Sequence, residues 1–599
     1  MAISVVGKNY TQISSCDLAS SGGTWSTMSP AADSGAYKEG AASLSFICKS
    51  LGNNDIVFTP TGAVNLLNKH LRFWFISTHG KLLETYANGG LQVGVTGGGN
   101  TGWWKVLGRS GDYAYPGGWI NCVIDTSKAC DSGTKPTDMT AITVITFRVV
   151  LTGTGKNAAN TWIDNLCVCD GLVAYGDYDS TPLTLNVVAA AGTFSRGSGS
   201  FVTDGFRVGM RIVTSGFTNG GNNTTKVILT VATLVITVTD ITGLVNESGG
   251  GDERIRGFFD LNDIFTADDA TTLGIGIIRQ IGGQYFVVGS FEIGLASGSA
   301  ETKFQAKSSV LVFENRRVND VLYAINVVDN GTGTTMFLLG SKSGSSGIEG
   351  CMIRTQSSAQ TCKFTLDGKT DTDVDYFNLY GTTFYDAGVI SFPPNSANVE
   401  VLNCNFEAGS NVIVNTAVVK NCNFVSSDTA AVKMSSASHH VTDCNFVGCS
   451  RGVLIDTYVA SYPFDNLKFS GCTYDVHNTS GSAIEVGKSN GSNPTTYDPA
   501  GNVVTFTGSI ILTMTVKTEG GAVIAGALAY IDNNDVTPFI MNTTTNESGV
   551  ATTSYTGSPV TNARWRVRKY GYKAYAMLLS IAGDNISLPV TLVADPQQT

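Results

Sequence analysis

The chain has 599 residues, a net charge of −10 and only 14% charged residues, against roughly 25% in an average soluble domain. An acidic, sparsely charged chain lacks the basic face needed to meet phosphates, so a nucleic-acid partner is excluded. At roughly 150 residues per domain the length predicts three to five domains. With 69 Gly, 14 Pro and much Thr, Ser, Asn and Val, the composition favours strands and tight turns. No convincing amphipathic helix of three turns is visible, and the expected class is all-β.

The opening Met1–Lys8 lacks the charged start and long apolar core of a secretory signal, and synthesis in a cytosol is expected. The longest apolar stretch, Val227–Val238, is interrupted by Thr230, Thr233 and Thr237 and followed by Asp240. It reads as a hairpin, with no membrane insertion. Thirteen cysteines sit in no zinc-like spacing, and Cys167-Val168-Cys169 has only one spacer. They are expected to be reduced and mostly buried.

Residues 1–180 read as a jelly-roll β-sandwich. Strand patterns such as Leu71–Ile76 and Ile142–Val150 are separated by Gly-rich turns such as Gly97–Asn100. Six of the seven tryptophans fall here: Trp25, Trp74, Trp103, Trp104, Trp119 and Trp162. Residues 181–256 outline a small antiparallel β-barrel. Residues 257–504 carry a repeat, with Asn403-Cys404-Asn405-Phe406, Asn421-Cys422-Asn423-Phe424 and Asp443-Cys444-Asn445-Phe446 nearly identical. Cys362-Lys363-Phe364, Thr382-Thr383-Phe384 and Cys472-Thr473-Tyr474 extend it, giving steps of 20, 22, 18, 22 and 28 residues. A period near 20 with one short strand motif per turn suits a right-handed parallel β-helix. Cys and Phe, two apart, would form an inward ladder from Phe364 through Phe384, Phe406, Phe424 and Phe446. Asn405, Asn423 and Asn445 would face outward or stack at a bend. Residues 505–599 read as a second sandwich.

No nucleophile elbow, P-loop, zinc-protease helix or dinucleotide fingerprint appears. Of five histidines, only His439-His440 with Asp443 forms a cluster, and strand neighbours point to opposite faces. A surface turn is the favoured reading there. Asp367-Gly368-Lys369-Thr370-Asp371-Thr372-Asp373-Val374-Asp375 is the better candidate. Asp371, Asp373 and Asp375 alternate, so a strand would line them on one face. They could form a solvated face, bind Ca²⁺ together with Asp367, or supply paired carboxylates for glycoside hydrolysis. Trp103 and Trp104 follow a Gly-rich turn, and one indole is expected to be open for stacking on a sugar.

Two segments carry a resemblance. Phe201-Val202-Thr203-Asp204-Gly205-Phe206-Arg207-Val208-Gly209, followed by Ser215-Gly216-Phe217 and Asn222-Asn223, resembles a module of phage structural proteins. The order Val516–Ala527, Asn546–Ala551 and Val567–Tyr572, ending on Gly571-Tyr572, is similar to transthyretin-like or carboxypeptidase-regulatory-like sandwiches. Taken together the chain resembles a bacteriophage virion protein of the tailspike or tail-fibre type. That resemblance implies a homotrimer in the virion, contacts with other virion proteins, adhesion to a host surface glycan and no cofactor. A capsid decoration or head-fibre protein, and a polysaccharide depolymerase acting along the β-helix, are the alternatives.

Overall fold

The computed structural model describes residues 4–108, 118–176, 178–179, 182–270, 277–295, 302–313, 323–328, 335–343, 347–355, 363–368, 376–393, 399–415, 417–435, 440–508, 510–533, 536–555, 560–581 and 585–597. With 54% strand and 4% helix it is an all-β protein. Two compact units divide it, Met1–Val389 and Ile390–Thr599.

The first unit begins with a two-sheet antiparallel sandwich. One sheet orders Ile120–Asp125, His70–Ser77, Thr161–Cys169, Ser43–Phe46 and Ala31–Asp33, with Thr11–Ser14 also on Thr161–Cys169. The other orders Ser132–Gly133, Asn100–Leu107, Leu91–Gly97, Val144–Leu151, Gly52–Pro60 and Gly23–Ser26. Strand alternation decides what meets in the middle. Leu71, Phe73 and Phe75 join Ile145, Phe147 and Val149 in one buried core, while Arg72 and Trp74 fall on the outer face. Trp25 lies 4.7 Å from Phe58 and 5.6 Å from Phe147, centroid to centroid. Each such ring contributes on the order of 2–3 kcal/mol by leaving water.

Gly171–Tyr175, which the sequence pattern joins to the sandwich, belongs elsewhere. It pairs antiparallel with Ser4–Lys8 on one edge, and its Leu172–Ala174 runs parallel to Phe291–Ile293 on the other. Lys8 ties the three strands with a 2.7 Å ion pair to Glu292. The small barrel is therefore inserted between two neighbouring strands of a parallel sheet. Its seven strands pair antiparallel, and the apolar stretch is the hairpin Thr225–Val231 with Val235–Val238. The Phe-x-x-Asp-Gly-Phe motif folds Phe201 edge-on to Phe206 at 5.5 Å, and Arg196 reaches Asp204 at 2.6 Å. Both asparagines of the Asn-Asn pair lock loops. Fully buried Asn222 bonds both backbone polar groups of Val245, and Asn223 bonds both of Phe217.

A helix, Leu261–Ala270, follows the barrel. Asp260 Oδ1 accepts from the amides of Asn262 and Asp263, and Asp263 Oδ2 accepts from the amide of Asp260. That reciprocal cap satisfies the first-turn donors. Beyond it lie parallel coils. Gln284–Val287, Val310–Phe313, Met352–Thr355 and Thr383–Tyr385 stack in register. Phe291–Ile293, Ala324–Val327 and Phe364–Asp367 form a second side. Thr302–Ala306, Thr335–Leu339 and Tyr376–Tyr380 form a third.

Phe364 corrects the single-ladder expectation. It stacks on Phe313 at 5.0 Å and sits on the second side, whereas Phe384 pairs with Ile353 on the first. Both rings point inward, but Lys363-Phe364 is not equivalent to Thr383-Phe384, and Cys362 lies outside the described residues. Cys351 occupies the position opposite Thr382, and the Thr383 amide donates to the Cys351 carbonyl at 2.9 Å.

In the second unit the repeat is regular. Asn405–Glu407, Asn423–Val425, Asn445–Val447 and Lys468–Ser470 stack parallel and in register. Phe406, Phe424, Phe446 and Phe469 form one inward column, spaced 4.9, 5.0 and 4.7 Å with planes within 8° of parallel. Cys404, Cys422 and Cys444 are fully buried beside it. Each Cys follows a corner residue with positive φ: Asn403 (54°), Asn421 (55°) and Asp443 (54°). Asn and Asp tolerate that left-handed region better than other residues bearing a Cβ, which explains their recurrence.

The next corner is Asn466 (φ 51°), followed by buried Leu467, so Leu467 and Phe469 continue the ladder. Cys472-Thr473-Tyr474 is displaced from it, and the expected last step is corrected from Cys472 to Leu467. A terminal sandwich packs Ile510–Thr518, Val550–Tyr555 and Ile586–Leu592 against Val536–Thr544, Leu528–Asn533, Val560–Arg568 and Tyr575–Ile581 around buried Trp565. All twelve described cysteines are free, and ten are buried.

Candidate functional site

A polar cluster covers the outer face of the first sandwich sheet. Arg72 and Trp74 project from His70–Ser77, Asn121 from the neighbouring strand, and Asp164 and Cys167 from Thr161–Cys169. The register of that last strand shifts between Asp164 and Cys167, and Asn165 takes φ 43°. This bulge inserts one extra polar side chain among the others.

Glu39, from the loop across the sheet, is the hub. It accepts from Arg72 Nη2 at 2.5 Å, from Trp74 Nε1 and from Asn165 Nδ2. Arg72 is wholly buried, and its Nε donates to Asn121 Oδ1 at 2.9 Å. A buried guanidinium is tolerable only when its charge and donors are matched, and Glu39 and Asn121 do this. Asp164 Oδ2 accepts from the amides of Lys38 and Glu39 at 2.7 and 2.9 Å, which pins the same loop. Asp164 Oδ1 is buried with no hydrogen-bond partner among the described residues. Burial raises the Asp164 carboxyl to about 6, against the amide bonds that lower it. Lys38 Nζ and the Arg72 guanidinium each lie 4.9 Å from the Trp74 ring. The cluster fastens a loop to a sheet, and Trp74 keeps only 5% of its surface exposed.

The aromatic pair of the sequence reading splits. Trp104 is wholly buried in the sandwich core, so it offers no ring to a glycan. Trp103 lies on the opposite face, half-buried, with the Arg148 guanidinium 3.9 Å from its ring. Gly94 sits beneath the ring, so close that a Cβ there would come within 2.8 Å of it. Asp55 holds Arg148 with two bonds of 2.7 and 2.8 Å. The indole is thus held between Arg148 and the Gly94 backbone, with part of its surface still exposed.

Asp371, Asp373 and Asp375 lie outside the described residues. Asp367 ends the strand Phe364–Asp367, half-buried and opposite Asn326. His439 also lies outside the described residues, while His440 is exposed. Asp443 is a coil corner, accepting from Asn466 Nδ2 at 2.7 Å and meeting Lys420 Nζ at 3.5 Å. No group of three or more His, Cys, Asp or Glu side chains is placed to hold a metal among the described residues.

Sequence reasoning missed His477, whose partner is distant in the chain. Its Nδ1 lies 3.4 Å from Asp498 Oδ2, the same oxygen that Arg451 grips at 2.6 and 2.7 Å. Burial and the Arg451 charge lower the His477 pKa, against the pull of the Asp498 carboxylate. Asp498 also accepts from the Ala500 amide at 2.9 Å, and Asp475 from the amides of Thr495 and Thr496. These carboxylates hold residues 495–500 down on the coil.

No family model matches the chain, and no curated protein does. Two solved structures show marginal likeness. PfGH50B is 11% identical with a TM-score of 0.19, covering 25% of this chain and 23% of that one. An agarase, AgWH50C, is 9% identical with a TM-score of 0.20, covering 27% and 24%. The chain thus spans about a quarter of each, and scores this low carry no argument.

Proposed function

We propose that this chain is a structural protein of a bacteriophage virion, a homotrimeric tailspike or fibre that adheres to the host surface. The observation that supports it most is the register-locked stack of coils, with Phe406, Phe424, Phe446 and Phe469 in one column inside. Such a stack resists bending and shear, which suits an appendage. Its outer surface carries the Asn405–Asn423–Asn445 amide row among charged side chains such as Glu400, Lys420 and Lys433, and such a row can line up with a repeating glycan or with a second copy. Low charge gives little electrostatic defence against self-association, and closed three-fold packing would bury these faces. The ionic clusters described above hold loops and corners in place, consistent with a scaffold that binds.

Light scattering on the purified chain should give three copies, and gold-labelled antibody should mark the tail of the phage that encodes it. Label on the capsid would favour the decoration or head-fibre role. Release of reducing sugar from host capsule or lipopolysaccharide would favour the depolymerase. A stable monomer would overturn the trimer.

A further inference from the structure

Beyond the inward Cys404–Cys422–Cys444 column lies a second stacked thiol pair with a different character. Phe446 pairs with Phe469 and Arg451 with Tyr474, both a step of 23 residues, so Cys449 and Cys472 occupy the same position on successive coils. Each follows a left-handed glycine, Gly448 (φ 62°) and Gly471 (φ 65°), in the same turn. The Thr473 amide donates to the Cys449 carbonyl at 2.9 Å, which fixes the two turns together. The sulfurs have matching surroundings: Cys449 Sγ donates to Phe424 O at 3.5 Å and Cys472 Sγ to Phe446 O at 3.6 Å.

We propose that Cys449 and Cys472 are a redox-modification site, closing to an inter-coil disulfide on exposure to a low-molecular-weight disulfide. Stacked strands stand about 4.8 Å apart, inside the roughly 4.4–6.8 Å Cα range that a disulfide spans. In-strand ladders disfavour the required torsion, but these cysteines lie in turns outside the strands, where the side chains are not held perpendicular to a sheet. Access separates Cys472 from the other column and from its own partner, since Cys449 is only 1% exposed. Cys472 is partly exposed, whereas Cys404, Cys422 and Cys444 are buried, and burial holds the Cys422 thiol well above its ordinary range. A thiolate is the attacking species.

The balance is that of thiol–disulfide exchange. Cys472, the sulfur that solvent reaches, attacks glutathione disulfide as its thiolate, forming a mixed disulfide and expelling one glutathione thiolate. The second sulfur loses its proton to solvent and attacks the mixed disulfide, expelling the second. Two protein thiols are oxidised, one glutathione disulfide is reduced to two thiols, and one sulfur–sulfur bond replaces another.

The test incubates the full chain with glutathione disulfide at pH 8, unfolds and alkylates it, and maps the peptides by mass spectrometry. The expected product is a Cys449–Cys472 cross-link, lighter by two hydrogen atoms than the reduced pair, with Cys404, Cys422 and Cys444 alkylated. Cys449→Ser should instead accumulate glutathione on Cys472, because no second thiol resolves it. Cys472→Ser, changed at the more exposed partner, should yield no cross-link. Three results would overturn the proposal: both thiols alkylated in the treated wild type, glutathione persisting on Cys472 there, or cross-linking within the buried column instead.

Discussion

The side-chain amide of Asn423 donates to Asn405 Oδ1 across 2.9 Å, one coil away, and Asn445 repeats the bond to Asn423 at 2.9 Å. Asn423 is thus donor to one neighbour and acceptor from the other. Asn423→Ala deletes both bonds and should cost about 1–2 kcal/mol, read as a lowered urea midpoint. An unchanged midpoint would show that the row carries no energy.

Phe424 has a stacked ring above and below, so Phe424→Ala leaves a void that neither neighbour can fill. The expected loss is about 3–5 kcal/mol. Val447 is 43% exposed on the next coil, and Val447→Ala should stay within about 0.5 kcal/mol of wild type. Equal losses in denaturant titrations of the two variants would contradict the inward column.

Gly94 lets the Trp103 ring lie flat across its strand. The methyl group of Gly94→Ala would meet the ring at 2.8 Å, displacing it from Arg148. A cost of about 1–3 kcal/mol follows from overpacking, together with a changed tryptophan emission. An unaltered spectrum and midpoint would refute the sandwiched geometry.

Asp164 should give the first sandwich an acid-side stability slope. Its folded carboxyl titrates at about 6, whereas an unfolded Asp titrates at about 4. Between these values the folded protein keeps a proton that the unfolded chain has released. Stability therefore falls as pH rises from about 4 to about 6 and is level on either side as far as this group is concerned. Asp164→Asn should flatten that segment in urea titrations at pH 4.5 and 7. An unchanged slope would mean that Asp164 does not carry it.

The regular coils of the second unit were legible because Cys and Phe recur two apart behind an Asn corner. In the first unit the same architecture is built from Phe291, Phe304, Phe313 and Phe337 without a shared tripeptide, so spacing alone misplaced Phe364. The helix Leu261–Ala270 escaped a search for three full turns, since ten residues make just under three. Its Asp260 and Asp263 cap was the readable signal. Trp103 and Trp104 look alike in sequence, and only strand alternation with Gly94 and Arg148 as neighbours separates core from surface. The partner of His477 lies 21 residues on, held by a loop fold that no local pattern encodes.

The corner residues Asn403, Asn421, Asp443, Asn466 and Asn490 share one backbone state yet stand 18, 22, 23 and 24 residues apart. The contour of each storey is therefore free to change while its landing is not. Duplicating the stretch between two corners should heighten the tower by one storey, about 4.8 Å, and leave the storeys above and below aligned. Reach becomes a quantity that recombination adjusts in whole steps, and the balconies between landings become the place where new surfaces are tried at little structural risk.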